Sequence, residues 1–318
     1  MSTLYLIGNG FDAAHHIQTS YSAFRSFLEK EHEDFLTRFE AMYSIEPLDD
    51  TEPWYTLEAQ QKWTESVIKD LWMEFEDGIG HPDVEGMHDW ALSLVDGMPE
   101  DGIKDTLDLY WKEQYAFSNN LQRYVLEWLN TIDISDAKCR KDALINAQSD
   151  LFISFNYTDT LERIYGISNV LHIHGGLPNC SSIPPIMGHG NRSLIELYKR
   201  KAKDAQEAFI EWEESIDNAI ANFCTSIYKD TDAIIARNEA FFSDISGVDQ
   251  VVCLGLSFGD VDIPYLQRIL QEIKPTTRWT VYYHGNKSHQ RLKTVFNTLG
   301  INRKYETRFL QSDSFWDK

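Results

Sequence analysis

The sequence contains few cysteines, few basic residues and no long apolar run. Its four cysteines, Cys139, Cys180, Cys224 and Cys253, lie far apart and form no Cys-x-x-Cys pair. This spacing argues against a cysteine zinc site or a disulfide framework, so a reducing compartment is expected. No apolar run approaches membrane-spanning length, and residues 1–7 are too few for the apolar core of a signal peptide. We therefore expect a cytoplasmic protein without a membrane partner.

Basic residues are scarce, with 29 Lys and Arg against 50 Asp and Glu, and the net charge is −21. Most of the excess lies between Glu31 and Glu113, where 23 acidic and 5 basic residues give −18. An acidic surface of this kind repels nucleic acid at long range. The sequence therefore disfavours nucleic acid as a partner, and a solvated acidic helical face that aids solubility is the simplest explanation of the block.

The chain begins with a pattern typical of a nucleotide-binding βα unit. Residues 4–7 are apolar and predict a buried strand, which ends abruptly at Gly8-Asn9-Gly10. Residues 13–29 then place apolar side chains at helical spacing. In such units the glycines let the backbone approach a phosphate that faces the helix N-terminus. The spacing is close to the dinucleotide fingerprint, although a plain tight turn produces the same pattern.

The remainder of the chain predicts one interrupted α/β domain. Residues 31–147 contain no convincing strand and carry six of the nine tryptophans, which predicts an acidic, Trp-rich helical insertion. Residues 193–245 predict a helical hairpin insertion. Residues 1–30, 148–192 and 246–318 supply the strands of a nucleotide-binding domain. Because strands alternate with helices there, we expect a doubly wound, mainly parallel, Rossmann-like sheet.

Two histidines and an asparagine are the candidate catalytic residues at the ends of the predicted strands, where open parallel sheets bind ligands. His172 and His174 share one face of their strand. A strand histidine is more often satisfied in the core, so His174, nearer the strand end, is the candidate general base. Asn156 can orient a water or a ribose hydroxyl, and it can equally cap the next helix. Two histidines at this spacing suggest half a metal site, but no further ligand is evident, so we expect no metal.

Two further residues keep structural alternatives. Asp12 lies where a phosphate would be repelled, and it can cap the first helix instead. Ser257 lies in a Gly-x-Ser-x-Gly string, but no suitable later Asp and His pair follows it. We interpret Ser257 as a hydrogen-bonding ligand residue and not as a nucleophile.

Taken in order, these motifs resemble the bacteriophage abortive-infection AbiH family. The resemblance covers the chain from end to end but is concentrated in the strand ends. It implies an anti-phage protein with a phage component or a host defence protein as partner, and we expect a homo-oligomer. The motifs are Leu6-Ile7-Gly8-Asn9-Gly10-Phe11-Asp12, Phe155-Asn156-Tyr157-Thr158-Asp159-Thr160-Leu161-Glu162, His172-Ile173-His174-Gly175, and Gly255-Leu256-Ser257 with Asp260 and Asp262.

The AbiH pattern is in turn similar to the sirtuin-like NAD-binding fold of several defence NAD hydrolases. This resemblance implies that Asn156 orients ribose or water and that His174 is the general base in cleavage of the nicotinamide–ribose bond. It assigns the pyrophosphate to the glycine loop and the adenosine half to Ser257 and Asp260. The residues implied to bind NAD are Gly8, Asn9, Gly10, Phe11, Asp12, Tyr157, Asp159, Gly255, Ser257 and Asp260.

Three residues depart from the sirtuin-like pattern. Asn9 replaces a small residue, Thr158 stands where an acid is usual, and His16 lies where the family often has glycine. If the backbone at His16 needs a positive φ, histidine is strained there. These departures leave the identity of the nucleotide open. The zinc-binding cysteine module of deacylating sirtuins is absent, which argues against protein deacetylation.

The expected function is therefore anti-phage defence by a possible NAD glycohydrolase that acts when triggered. One alternative is a non-catalytic, nucleotide-binding sensor or scaffold that acts through a partner protein, with the acidic insertion as its partner surface. The other is a nuclease or RNA-directed toxin. The acidic excess and the lack of a clustered carboxylate metal site weigh against that second alternative.

Overall fold

The computed structural model of the protein describes residues 2–49, 51–52, 55–97, 102–140 and 150–316. Six strands in these ranges form one sheet in which every neighbouring pair is parallel. They are β1 Thr3–Ile7, β2 Leu151–Ser154, β3 Val170–His172, β4 Gln250–Leu254, β5 Arg278–Tyr283 and β6 Thr307–Gln311. The order across the sheet is β3-β2-β1-β4-β5-β6. Strand order therefore reverses at β1, which lies between β2 and β4.

Helices occupy the intervals between the strands. Those before β2 are α1 Asn9–Ala14, α2 Tyr21–Glu31, α3 Glu33–Ala41, α4 Leu57–Asp70, α5 Phe75–Gly78, α6 Val84–Val95, α7 Ile103–Tyr115 and α8 Leu121–Thr131. Those after β2 are α9 Thr160–Tyr165, α10 Arg192–Glu207, α11 Glu211–Ser226, α12 Thr231–Arg237, α13 Glu239–Asp244, α14 Ile263–Glu272, α15 Gly285–Thr298, α16 Ile301–Lys304 and α17 Asp313–Trp316. Within the described ranges, no helix is both long and apolar enough to cross a membrane.

Both faces of the sheet are covered, because successive side chains of a strand point to opposite faces. On β1, Leu4 and Leu6 join a core that includes residues of α12 to α16. Ile7 joins a second core with Leu161 and Tyr165 of α9 and with residues of α1 and α17. Helices therefore pack on both faces, and the predicted α/β, doubly wound parallel sheet is confirmed.

The chain divides into two compact units. Unit 1 consists of Met1–Ser20, Leu126–Ile186 and Asp230–Lys318, and it contains the sheet. Unit 2 consists of Tyr21–Val125 and Met187–Lys229, and its named elements are all helical. The three-part domain division made from the sequence stays a prediction. Its boundary near residue 147 lies outside the described residues.

The core of unit 2 contains two buried ion pairs. The guanidinium of Arg25 donates to both carboxylate oxygens of Glu40 at 2.8 and 3.1 Å, and the indole of Trp72 donates to the same carboxylate at 2.7 Å. Lys229, which is fully buried, donates to Glu76. Such pairs tolerate burial because each charge has a partner and hydrogen bonds.

The first helix is shorter than the helical spacing of residues 13–29 predicts. Helix α1 ends at Ala14 because His16 takes a left-handed conformation with φ of 62°. The amides of His16 and Ile17 then bond back to Ala13 and Asp12 at 3.0 and 3.1 Å, which is the pattern of a Schellman cap. Glycine usually occupies that position, so histidine there is strained, as the sequence comparison with the family pattern suggested.

Candidate functional site

The loops that follow β1 and β4 meet where strand order reverses. The amide of Gly8 donates to Leu254 O and that of Gly10 donates to Gly255 O, both at 2.9 Å. A Cβ on Gly10 would lie 2.7 Å from the Cα of Gly255, which itself has φ of 68°. Glycine is therefore required here for the close approach of two backbones. In this arrangement, the amides of Gly8 and Gly10 are already used by protein carbonyls.

A cleft of about 440 Å³ opens beside these loops in unit 1. Its walls are the segments that follow β1, β4, β5 and β6, together with Arg140. The guanidinium of Arg140 lies 4.8 Å from the ring centroid of Trp316, whose ring is 5.6 Å from that of Phe11. The cleft thus combines aromatic faces with a cation. Its other lining residues include Gly10, Gly255, Ser257, Tyr282, His284 and Asp313.

Asp12 is fully buried and joins the first helix to the loop after β2. Its carboxylate accepts hydrogen bonds from the hydroxyls of Thr158 at 2.6 Å and Thr160 at 2.8 Å. Burial raises the pKa of Asp12, while these hydroxyls and the amide of Asn156 lower it. The interpretation of Asp12 as a helix cap was wrong, since the residue lies inside α1 and Gly8 is the N-cap. Asp12 instead holds the residues around Asn156 in place.

Asn156 lies two residues after the end of β2 and is 8% exposed. Its side-chain nitrogen donates to Gly8 O at 3.1 Å, and the same amide group helps to lower the pKa of Asp12. The side-chain nitrogen is therefore directed at the loop that follows β1. The amide oxygen remains as the group that can accept a hydrogen bond from a hydroxyl or a water.

The two histidines of the third strand have different surroundings. His172 Nδ1 lies 3.1 Å from Asn156 O, and its Nε2 lies 2.8 Å from Glu162 Oε1. Both oxygens are acceptors at neutral pH, so both ring nitrogens carry protons and the ring is a cation. Burial lowers the pKa of His172, but Cys180 and Glu162 outweigh it and raise the pKa to about 10. A pKa raised in this way disfavours His172 as a general base near neutral pH.

His174 lies in an aromatic enclosure and is 2% exposed. Its ring centroid is 5.5 Å from that of Phe155 and 5.4 Å from that of Tyr265. Its Nε2 is 3.9 Å from Asp262 Oδ1, across to the segment after β4. This distance is longer than a hydrogen bond, but a carboxylate so close favours a positive charge on the imidazole. Asp262 belongs to one of the sequence motifs, but only the fold shows that it lies beside His174.

The remaining predicted residues are spread along the same sheet edge. Tyr157 is buried and donates to Ile186 O at 3.1 Å. Asp159 is buried beside Asn179, and burial raises its pKa. Asp260 is exposed in a short 3-10 helical turn after β4. The roles assigned to these three residues stay predictions.

The structure brings only part of the predicted set to the cleft. Gly10, Phe11, Gly255 and Ser257 line it, whereas Asn156 and His174 do not. Sequence reasoning missed several lining residues. Arg140 lies in the segment interpreted as an insertion, and Tyr282, Asp313 and Trp316 belong to no motif. Among the described residues, no group of three or more His, Cys, Asp or Glu side chains is placed to hold a metal ion.

The chain matches a known protein family over most of its length. The family model described as "Bacteriophage abortive infection AbiH" matches residues 4–283. The matched range includes β1 to β5, the glycine loops, Asn156 and His174. A comparison with curated proteins finds no match.

Proposed function

This chain belongs to the AbiH family of bacteriophage abortive-infection proteins, and from that premise we propose that it binds NAD and hydrolyses the nicotinamide–ribose bond when infection triggers it. Its role in anti-phage defence follows from the family. The nucleotide and the reaction are our proposal. NAD loss would stop the host cell before new phage matures.

The observation that supports this proposal is the position of the 440 Å³ cleft. It lies beside the loops after β1 and β4, where strand order reverses. Open parallel sheets bind their ligands in the crevice at this reversal, outside the carboxyl ends of the strands. The volume is within the roughly 300–1,000 Å³ range of small-molecule sites.

The groups in the cleft suit the adenosine and phosphate parts of a dinucleotide. The half-buried rings of Tyr282 and Trp316 provide faces on which a base can stack. Arg140 is exposed and supplies a cation for a phosphate. Asp313 is an acceptor for ribose hydroxyls, the task that a carboxylate performs in dinucleotide-binding folds.

The reaction would take place at Asn156 and His174, next to the ends of β2 and β3. A water attacks the anomeric carbon of the ribose while the bond to the nicotinamide nitrogen breaks and its electron pair leaves with nicotinamide. Asn156 accepts a hydrogen bond from the ribose or the water through its free amide oxygen. His174 takes the proton of the water, and Asp262 stabilises the resulting imidazolium.

The test measures NAD in phage-infected cells that express the protein or one of its variants. We expect NAD to fall and nicotinamide to rise with the wild-type protein, and to stay unchanged with Asn156→Ala or His174→Ala. Each variant should lose about 10²–10⁴ in rate. The control is His289→Ala, because His289 lies on α15, outside both the cleft lining and the proposed catalytic pair. Melting temperatures separate loss of chemistry from loss of folded protein. Unchanged NAD in infected wild-type cells that are nevertheless protected would refute hydrolysis.

A nucleotide sensor without turnover is the second candidate. It is favoured by the burial of Asn156 and His174 and by their absence from the lining of the cleft. A sensor would be stabilised against heat by NAD or ADP-ribose and would release no nicotinamide. Arg140→Ala should remove that stabilisation, because the proposed phosphate partner is lost.

A further inference from the structure

The backbone of Asn156 is held on both sides of its Cα atom. Its amide donates to Ser154 Oγ at 3.2 Å, and its carbonyl oxygen accepts from the same hydroxyl at 3.3 Å. The side-chain nitrogen of Asn156 donates to Gly8 O at 3.1 Å. Neighbouring groups therefore fix both the backbone and the side chain of Asn156, as a site that must hold a ligand in one geometry requires.

His172 adds a further contact to this backbone. In the register of the parallel strands, Ser154 of β2 lies beside His172 of β3, which brings the imidazole to the segment after β2. His172 Nδ1 lies 3.1 Å from Asn156 O. A carbonyl oxygen can only accept a hydrogen bond, so Nδ1 carries a proton and donates it, whichever charge the ring has. The imidazole is therefore one of the groups that orient the Asn156 carbonyl.

Glu162 holds the other side of the same ring. The first turn of α9 places its Oε1 2.8 Å from His172 Nε2. The side chain of His172 is only 1% exposed, so water does not compete for the ring nitrogens. Glu162, His172 and the Asn156 carbonyl thus form a continuous chain of hydrogen bonds, in which Glu162 orients the ring and the ring orients the carbonyl.

We propose that His172, held by Glu162, is a positioning residue for Asn156 and fixes the backbone that presents the Asn156 side-chain oxygen to the ribose or the water. In this role His172 touches no reacting atom, which distinguishes it from the general base His174. The assignment rests on the role proposed for Asn156 in hydrolysis. The alternative is that His172 only joins β3 to α9, and this alternative predicts an effect on stability alone.

Two substitutions of His172 separate its two hydrogen bonds. Asparagine places its side-chain nitrogen near the position of Nδ1, and the longer glutamine places it near that of Nε2. His172→Asn therefore keeps the donor to the Asn156 carbonyl and removes the donor to Glu162. His172→Gln does the reverse. His289→Gln, on α15 and outside the cleft lining, is the control.

An NMR measurement follows the Asn156 carbonyl directly. The sequence contains a single Asn-Tyr pair, Asn156-Tyr157. Protein that is isotope-labelled in the carbonyl carbon of asparagine and in the nitrogen of tyrosine therefore gives one carbonyl signal in an HNCO spectrum. A carbonyl carbon that loses a hydrogen bond moves to lower frequency. We expect this movement in His172→Gln, and a signal near that of the wild type in His172→Asn and His289→Gln.

NAD loss and protection of phage-infected cells are the functional measurements. We expect His172→Gln to slow NAD loss by about 10²-fold and to lose protection, because Asn156 is misplaced. His172→Asn should keep most of both. The melting temperature should be lower for His172→Asn, because this variant loses the hydrogen bond to a carboxylate, the stronger of the two bonds. Function and stability should therefore rank the two variants in opposite orders.

An unmoved carbonyl signal in folded His172→Gln would overturn the proposal, and so would protection that follows the melting temperatures of the two variants. Each variant is decisive if the other does not fold, because His172→Asn must match the wild-type signal and His172→Gln must not. Failure of hydrolysis is a separate result. If wild-type cells are protected without NAD loss, the carbonyl signal and protection still test whether His172 positions Asn156.

Discussion

Replacing Glu162 by Gln tests whether His172 is a buried cation. In the wild-type protein the two side chains form an ion pair of 2.8 Å, with His172 only 1% and Glu162 22% exposed. Glutamine keeps an oxygen acceptor at the same place and removes the charge. A hydrogen bond to a charged partner contributes about 1.5–3 kcal/mol, against about 0.5–1.5 kcal/mol for a neutral one. We therefore expect a loss of about 1.5 kcal/mol, which lowers Tm by about 3–6 °C for a domain of this size.

The raised pKa of His172 also predicts how the difference in Tm between the two proteins changes with pH. The pKa of His172 is raised in the folded protein from 6.5 to about 10. A raised pKa contributes stability that is fully present below pH 6.5 and is lost as pH approaches 10. In the Glu162→Gln variant, the pKa of His172 is raised less than in the wild type. The difference in Tm between the two proteins should therefore be largest at about pH 6 and should shrink toward about pH 10.

The assay is thermal unfolding followed by circular dichroism across this pH range. The control is Glu306→Gln, because Glu306 is 53% exposed and pairs with Arg308 at the surface. That change should alter stability by less than about 0.5 kcal/mol. Equal Tm values for the wild type and Glu162→Gln at about pH 6 would show that His172 is neutral. A difference in Tm between the two proteins that stays constant up to about pH 10 would also show that His172 is neutral. Either result would return His172 to the candidates for general base.

Three further changes test the glycine loop, the first helix end and the core of unit 2. Gly10→Ala should lower the free energy of unfolding in urea by about 1–3 kcal/mol, because its Cβ would lie 2.7 Å from a backbone carbon. Gly247→Ala is the control and should be neutral, because its Cβ would meet nothing within 4 Å. His16→Gly should stabilise the protein by about 1 kcal/mol by relieving the left-handed backbone, and an unchanged urea midpoint would contradict that strain. Lys229→Met should cost about 3–5 kcal/mol by leaving the buried Glu76 unpaired. Adding Glu76→Gln should recover much of that loss, and a double variant as unstable as the single one would contradict the pairing.

The fold could be predicted from the sequence because its signals are local. The apolar run at residues 4–7 and the runs before Asn156 and Gly255 each identify a buried strand without reference to any other segment. Alternation of such strands with helices leads to a parallel sheet with both faces covered. The polar residues after these strands lie along one sheet edge for the same reason. The family, too, was evident from the order of short motifs.

The site could be predicted only in part, since its geometry depends on which remote segments meet. Spacing shows that His172 and His174 share a face, but the acceptors on both sides of His172 come from Glu162 and the backbone of Asn156. Only the fold places two acceptors beside the first histidine and Asp262 beside the second.

The sequence by itself therefore determined the strands, the glycine turn, the polar sheet edge and the family, because each is encoded within a few neighbouring residues. Tertiary structure alone decided that Gly10 packs on Gly255 and that Asp12 is a buried partner of threonines. It also decided that Arg140 and Trp316 share a cleft. The reason is physical: these contacts join segments far apart in the chain, and their geometry depends on how the strands are ordered in the sheet.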